Sequence, residues 1–220
     1  MEELDCKTAF TIPLFGGIPV AESVAVTWII MAVLIAGSML LVRGLRVETA
    51  GDGQLATELV IGGVYDFFYD LLGEDGKQYI PYLMMVGLYI AVSNMIGLFG
   101  MKSPTKDVGV TGALAFMSII LIEYAGIHKK GPKQFIKSFA EPIPIMLPMN
   151  ILELFIRPLS LCMRLFGNIL GAFVIMELIK IVAPFLVPVP FSLYFDLFDG
   201  LIQAYVFVFL TALFIRETIE

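Results

Sequence analysis

Long apolar runs, parted by short polar segments, dominate the chain. Val24 to Val42 carries no charge over nineteen residues. At about 1.5 Å per residue, that run crosses a hydrocarbon core of about 30 Å. Gln78 to Met101 and Val108 to Ile127 repeat the pattern, the latter broken only by Glu123 near its far end. Residues 145–216 form a fourth and a fifth run. Pro142, Pro144 and Pro148 delay the start of a regular helix, and Pro184, Pro188 and Pro190 divide the stretch into two. The expected helices there run from about Met149 to Ile181 and from about Phe191 to Arg216.

Residues 47–77 follow another rhythm. Seven acids alternate with Leu55, Leu59, Val60, Val64, Phe67, Phe68, Leu71 and Leu72, and the apolar positions recur at three and four. That period predicts an amphipathic helix lying at the membrane surface. Its acidity opposes attraction to lipid headgroups, so its apolar face is expected on the bundle. Residues 1–23, with Pro13, Gly16, Gly17 and Pro19, form a lead-in. The predicted fold is all-α: one polytopic membrane domain of about five membrane helices plus a surface helix, with no internal repeat and no soluble domain.

Composition agrees. Of 220 residues, 59% are hydrophobic and 15% charged, against about 45–50% and about 25% in soluble domains. One soluble core cannot hide that excess. The net charge of −6 leaves no basic surface for nucleic acid. Cys6 and Cys162 have no metal or disulfide spacing, and Cys162 reads as a small core residue. Glu2, Glu3 and Asp5 oppose the basic start of a cleavable signal peptide.

Charge also orients the chain. Arg43, Arg46, Lys77, Lys129, Lys130, Lys133, Lys137 and Arg216 fall on one side; Lys7, Lys102 and Lys106 fall on the other. Eight against three places the N-terminus outside and the C-terminus in the cytoplasm.

The fourth and fifth runs carry the chemistry. Glu153, Arg157, Arg164, Asn168 and Gly171 stand at offsets of 0, 4, 11, 15 and 18, which track one helical face. Asp196, Asp199 and Gln203, at 0, 3 and 7, share a face of the last helix. An intramembrane arginine costs a few kcal/mol on insertion scales, so Arg164 needs an answering charge. Asp196 or Asp199 within the chain would serve. Glu153 and Arg157 have the spacing of a local ion pair. Two polar faces in an apolar hairpin suit a route for H⁺ or Na⁺: carboxylates and amides where ions hop, and one permanent cation where they must not leak. Arginine fits the blocking role because it stays protonated at any biological pH.

Arg164-Leu165-Phe166-Gly167-Asn168 resembles the hallmark motif of subunit a of F-type ATP synthases, in a bacterial form. The resemblance extends through Ser93-Asn94 with Gly97-Leu98, Ser103-Pro104-Thr105 with Asp107, Pro148 and Asn150 with Glu153, Pro158 and Ser160, and Gln203-Ala204-Tyr205-Val206-Phe207. These ordered motifs cover roughly residues 78–216.

The resemblance implies a stator in the bacterial plasma membrane, working against a rotating c-ring whose subunits each carry a buried carboxylate. Two half-channels, one from each side, would meet that ring, and the long tilted C-terminal hairpin would face it. Arg164 matches the family arginine that attracts each ring carboxylate and separates the half-channels. Gln203 matches the glutamine facing it, and Asn168 a polar lining position. Asp196 matches a position lining the outside half-channel. Glu153 matches a lead-in glutamate near the cytoplasmic exit. Asp199 is not matched to a family position and stands as a further, weaker lining candidate. Phe173 occupies a position where some members have a carboxylate; Asp196, Asp199 or Glu177 would compensate. Arg157, where the family often has lysine, is a supporting charge. Implied partners are the c-ring, the subunit b peripheral stalk and the lipid bilayer. No cofactor and no catalytic site are implied: Gly-Lys-Ser/Thr is absent, and nucleotide chemistry belongs to a partner sector. A self-contained secondary ion transporter using the same charges is the alternative, although only the C-terminal half is polar where such transporters often show two related halves.

Overall fold

The computed structural model describes residues 8–12, 18–42, 52–99, 103–132, 134–135, 147–182 and 188–219. Five helical stretches within them are long and apolar enough to cross a membrane, and the body is an all-α polytopic bundle. The N-terminal lead-in adds what its composition did not announce. Strands β1 (Thr8–Ile12) and β2 (Ile18–Ala21) pair antiparallel, with Thr8 opposite Ala21 and Ile12 opposite Ile18. β-branched residues in short runs on either side of a Pro/Gly-rich connection suit such a hairpin.

Helix α1 (Glu22–Val42) leans on the bundle through Val26 and Ile30 alone among its buried residues, and exposes Trp28, Val33, Met39 and Leu40. α2 (Asp52–Gly76) is the amphipathic segment; it bends at Gly73, where φ is 68°. Its Phe68 and Leu72 are buried, and Phe67 meets Tyr205 and Phe209 with ring centroids 5.9 and 6.3 Å apart. Its apolar face therefore packs on the bundle in its second half, while Leu55 and Leu59 remain exposed.

α3 (Ile80–Met95) continues as a 3₁₀ turn to Phe99, and α4 runs Val108–Lys130. Asp107 caps α4, accepting from the Gly109 N–H at 2.8 Å, and accepts the Ser23 hydroxyl at 2.6 Å. One side chain thus fixes where α1 and α4 begin. α5 is a single helix from Leu147 to Val182 with Pro158 inside it. Its 36 residues span about 54 Å. The last run opens as a short helix, α6 (Pro188–Ser192), winds through a π-helical stretch over Leu193–Asp199, and continues as α7 (Gly200–Ile219).

The core forms where α3, α4 and α7 meet, around Ile80, Leu83, Ile90, Ile122, Ala212 and Ile215. α5 joins it through Leu161 and Leu165, against α4. α4 packs against both α5 and α7, which touch each other far less.

Candidate functional site

The polar residues of α3 are spent on packing. Asn94 donates to the Gly200 carbonyl at 2.9 Å and accepts the Thr105 hydroxyl at 2.8 Å. Ser103 donates to the Ser93 carbonyl at 2.7 Å and meets the Thr105 hydroxyl. All four side chains are buried. The approach of α3 to α7 is close enough that a Cβ on Gly200 would lie 2.8 Å from that of Asn94, so glycine is required there. Two segments singled out in sequence, residues 93–98 and 103–107, are thereby tied to each other and to α7.

α5 treats its polar residues in the opposite way. Leu161 and Leu165 bury one side of the helix, while Arg164, Gly167 and Asn168 are exposed on another. Nothing lies within 4 Å of where a Cβ on Gly167 or Gly171 would stand. Arg164 has no hydrogen bond or ion pair among the described residues. The internal pairing with Asp196 or Asp199 that the sequence allowed is not formed. Both carboxylates lie with the C-terminal part of α5, around Glu177, some 13 residues or about 20 Å of helix from Arg164.

There a cavity of about 310 Å³ opens among the end of α3, the residue 103–106 turn, the C-terminal half of α5 and the π stretch. Asn94, Lys106, Glu177, Lys180, Asp196 and Asp199 supply its polar lining. Asp196 accepts the Ser192 hydroxyl at 2.7 Å, and a Cβ on Gly97 would come within 2.8 Å of its Oδ1. Glycine at 97 leaves room for that carboxylate. Glu177 pairs with Lys180 at 2.7 Å. Lys106 places its ammonium 4.4 Å from the centroid of Phe173, a cation–π contact.

The shared face expected for Asp196, Asp199 and Gln203 assumed α-helical spacing. The π stretch shifts the register, a device often found at functional positions. Asp196 and Asp199 line the cavity, whereas Gln203 is buried at 7% exposure and is not part of its lining. The Gln203 Oε1 and the Ser93 hydroxyl are buried without a hydrogen-bond partner. Such atoms are costly unless a water or a group from another chain meets them.

At the other end of the bundle a second cavity, of about 220 Å³, lies among the ends of α4, α5 and α7. Glu123, Lys130, Asn150, Glu153, Arg157 and Glu217 line it. Arg157 donates to Glu153 at 3.2 Å, the predicted local pair, and to Glu217 at 2.9 Å. Its guanidinium stands 5.1 Å from the centroid of Phe214. Glu217 escaped the sequence reading because no periodicity links residues 60 apart. Glu123 gave a signal, as the one acid in the third apolar run. Glu153, Arg164 and Glu177 thus follow one another along α5, with a polar cavity at the first, a bare face at the second and another cavity at the third.

The model of the family described as ATP synthase A chain matches residues 24–216. The chain is 36% identical over 206 residues to an ATP synthase subunit a of Moorella thermoacetica, covering 93% of this chain and 94% of that one. It is 38% identical over 205 residues to ATP synthase subunit a 1 of Pelobacter propionicus, covering 91% and 88%. It is 33% identical over 206 residues to an ATP synthase subunit a of Legionella pneumophila, covering 93% and 89%.

Proposed function

The chain belongs to the ATP synthase A chain family, and from that membership we propose that it is the stator of the membrane sector, carrying ions to and from a rotating ring of carboxylate-bearing subunits. The observation that carries this reading is Arg164: an exposed cation in an apolar helix, unpaired among the described residues, between two polar cavities. A cation in such a place needs an anion, and the bare face around Gly167 and Gly171 leaves room for one supplied by a neighbouring helix.

In this reading the cavity around Asp196, Asp199 and Glu177 is the outside half-channel. An ion enters there and passes to a ring carboxylate. Asn168 lines its path along α5, and Gln203 approaches from α7. The ring carboxylate, once emptied, is anionic and is held by Arg164. Rotation carries the loaded sites round the ring until one reaches the other side of the arginine. There its ion is released towards Glu153 and the cytoplasm. Arg164 cannot give up its proton, so it blocks direct passage between the two routes. Each elementary charge crossing the membrane delivers about 2.3 kcal/mol per 100 mV, and this arrangement converts it to rotation. Nucleotide chemistry lies on partner subunits.

The lysine and arginine distribution supports a cytoplasmic C-terminus in a bacterial plasma membrane. The length of α5, about 54 Å against a hydrocarbon core of about 30 Å, requires it to tilt or to project from the bilayer. The c-ring and the subunit b stalk are the expected partners, and H⁺ is the expected ion.

The test is ion-driven ATP synthesis in membrane vesicles carrying the Arg164→Ala complex. Synthesis is expected to fall to background while the soluble sector still hydrolyses ATP. Normal synthesis in that variant would overturn the reading, and ion transport by the purified chain alone would favour the self-contained transporter.

A further inference from the structure

No side chain in the first part of α5, residues 147–160, is fully buried. Met149, Leu152, Phe155, Ile156 and Leu159 are all exposed, and full burial begins only at Leu161. Just before the first buried residue stands Pro158, which removes one backbone hydrogen bond and favours a bend. Arg157 adjoins it. Its side chain is 18% exposed and reaches across to α7, bonding Glu217 at 2.9 Å over the ring of Phe214. Its second bond, to Glu153, stays within α5 and ties it to nothing else.

We propose that Glu217 is a positioning residue for Arg164: its ion pair with Arg157 straps α5 to α7 beside Pro158, and so fixes the angle at which the arginine face is presented. This inference rests on the stator reading above. Arg157 and Arg164 are seven residues apart, nearly two turns, so they leave the helix in nearly the same direction. A strap at the first limits swing and rotation at the second. A stator needs that rigidity. The force that turns a ring acts equally and oppositely on the helix that holds it, and Pro158 is a point at which that helix can yield. The pair also couples α5 to the helix carrying Gln203, although the two helices touch each other little.

The assembled synthase, reconstituted in vesicles, provides the test. Glu217→Gln and Arg157→Gln are each expected to lower ion-driven synthesis by about two- to fivefold, the change that fits the modest worth of partly exposed ion pairs. The double variant is expected to be no worse than either single one, and Glu217→Asp to keep most of the activity. A second readout is independent of turnover. With Cys6 and Cys162 replaced by serine, spin labels at Leu152 and Phe116 report the first part of α5 against α4. Labels at Val174 and Phe116 report its other end. Glu217→Gln should broaden the first distance distribution and leave the second unchanged. Additive losses, unchanged synthesis, or lowered synthesis with an unbroadened Leu152–Phe116 distribution would each overturn the strap. If Arg164→Ala abolishes synthesis while Glu217→Gln changes nothing, only this inference fails. If Arg164→Ala leaves synthesis intact, the stator reading fails first.

Discussion

α3 and α5 are both apolar helices that carry polar residues into a membrane, and they use them in opposite ways. On α3, Asn94 is buried and its amide is satisfied on both sides, by the Gly200 carbonyl and the Thr105 hydroxyl. On α5, Arg164 and Asn168 are exposed, with no partner among the described residues. A polar group knitted into its own chain is accounted for by packing. One held out unpaired is accounted for only by something outside the chain. Asparagine, the residue type the two helices share, thus holds the fold at Asn94 and is left open to an outside partner at Asn168.

The sharpest way to break that contrast is to alter each side and read both stability and activity. Arg164→Ala should remove all ion-driven synthesis yet leave the thermal stability of the purified subunit unchanged or raised, since an exposed unpaired charge is lost. A lowered melting temperature with full activity would put Arg164 on the structural side. Asp196→Asn combined with Asp199→Asn should come next. The pair is expected to cut synthesis tenfold or more, on the order of one ion-handling step lost, and each single change to cost less, because the two acids share one cavity. Equal loss from the single and double variants would assign the route to one residue.

Asn94→Leu should behave in the reverse sense. It removes the buried bonds to the Gly200 carbonyl and from the Thr105 hydroxyl, at a cost of about 1–3 kcal/mol. The purified subunit should melt earlier, and any loss of synthesis should follow the amount of subunit assembled. Gln203→Met is expected to leave stability within about 1 kcal/mol, because the Oε1 it removes has no partner and an apolar side chain of similar size fills its place, while synthesis falls. Melting curves and synthesis rates from the same preparations distinguish the two. The smallest effect is expected from Lys180→Gln, which breaks an exposed pair with Glu177 worth about 0–1 kcal/mol.

Sequence made much of this contrast visible, but unevenly. Spans show because an apolar run of twenty residues has few other uses, and the polar face of α5 shows because its offsets keep step with the helix. Whether a polar residue is satisfied does not show, since that depends on partners far along the chain. Asn94 meets Gly200 across 106 residues, and Arg157 meets Glu217 across 60. Spacing misleads where the helix departs from the α form, and the π stretch over Leu193–Asp199 alters the turn that relates Asp196 to Gln203. The β-hairpin was hidden because eight paired residues around prolines and glycines leave little periodicity. Lys106 over Phe173 brings together two places that no local pattern relates.

The bare face of α5 also bears on how such a subunit survives in a cell. In the stator reading, Arg164 meets lipid until its partner arrives, a situation that costs roughly 2.5–3.5 kcal/mol on insertion scales, against about 5–15 kcal/mol for the stability of a whole domain. Partner binding removes that cost and, by mass action, makes the lifetime of the folded chain depend on how much partner is present. A surplus copy would be the copy most open to membrane proteases. In the stator reading proposed above, the same arginine would also keep the subunit's abundance matched to that of its rotor.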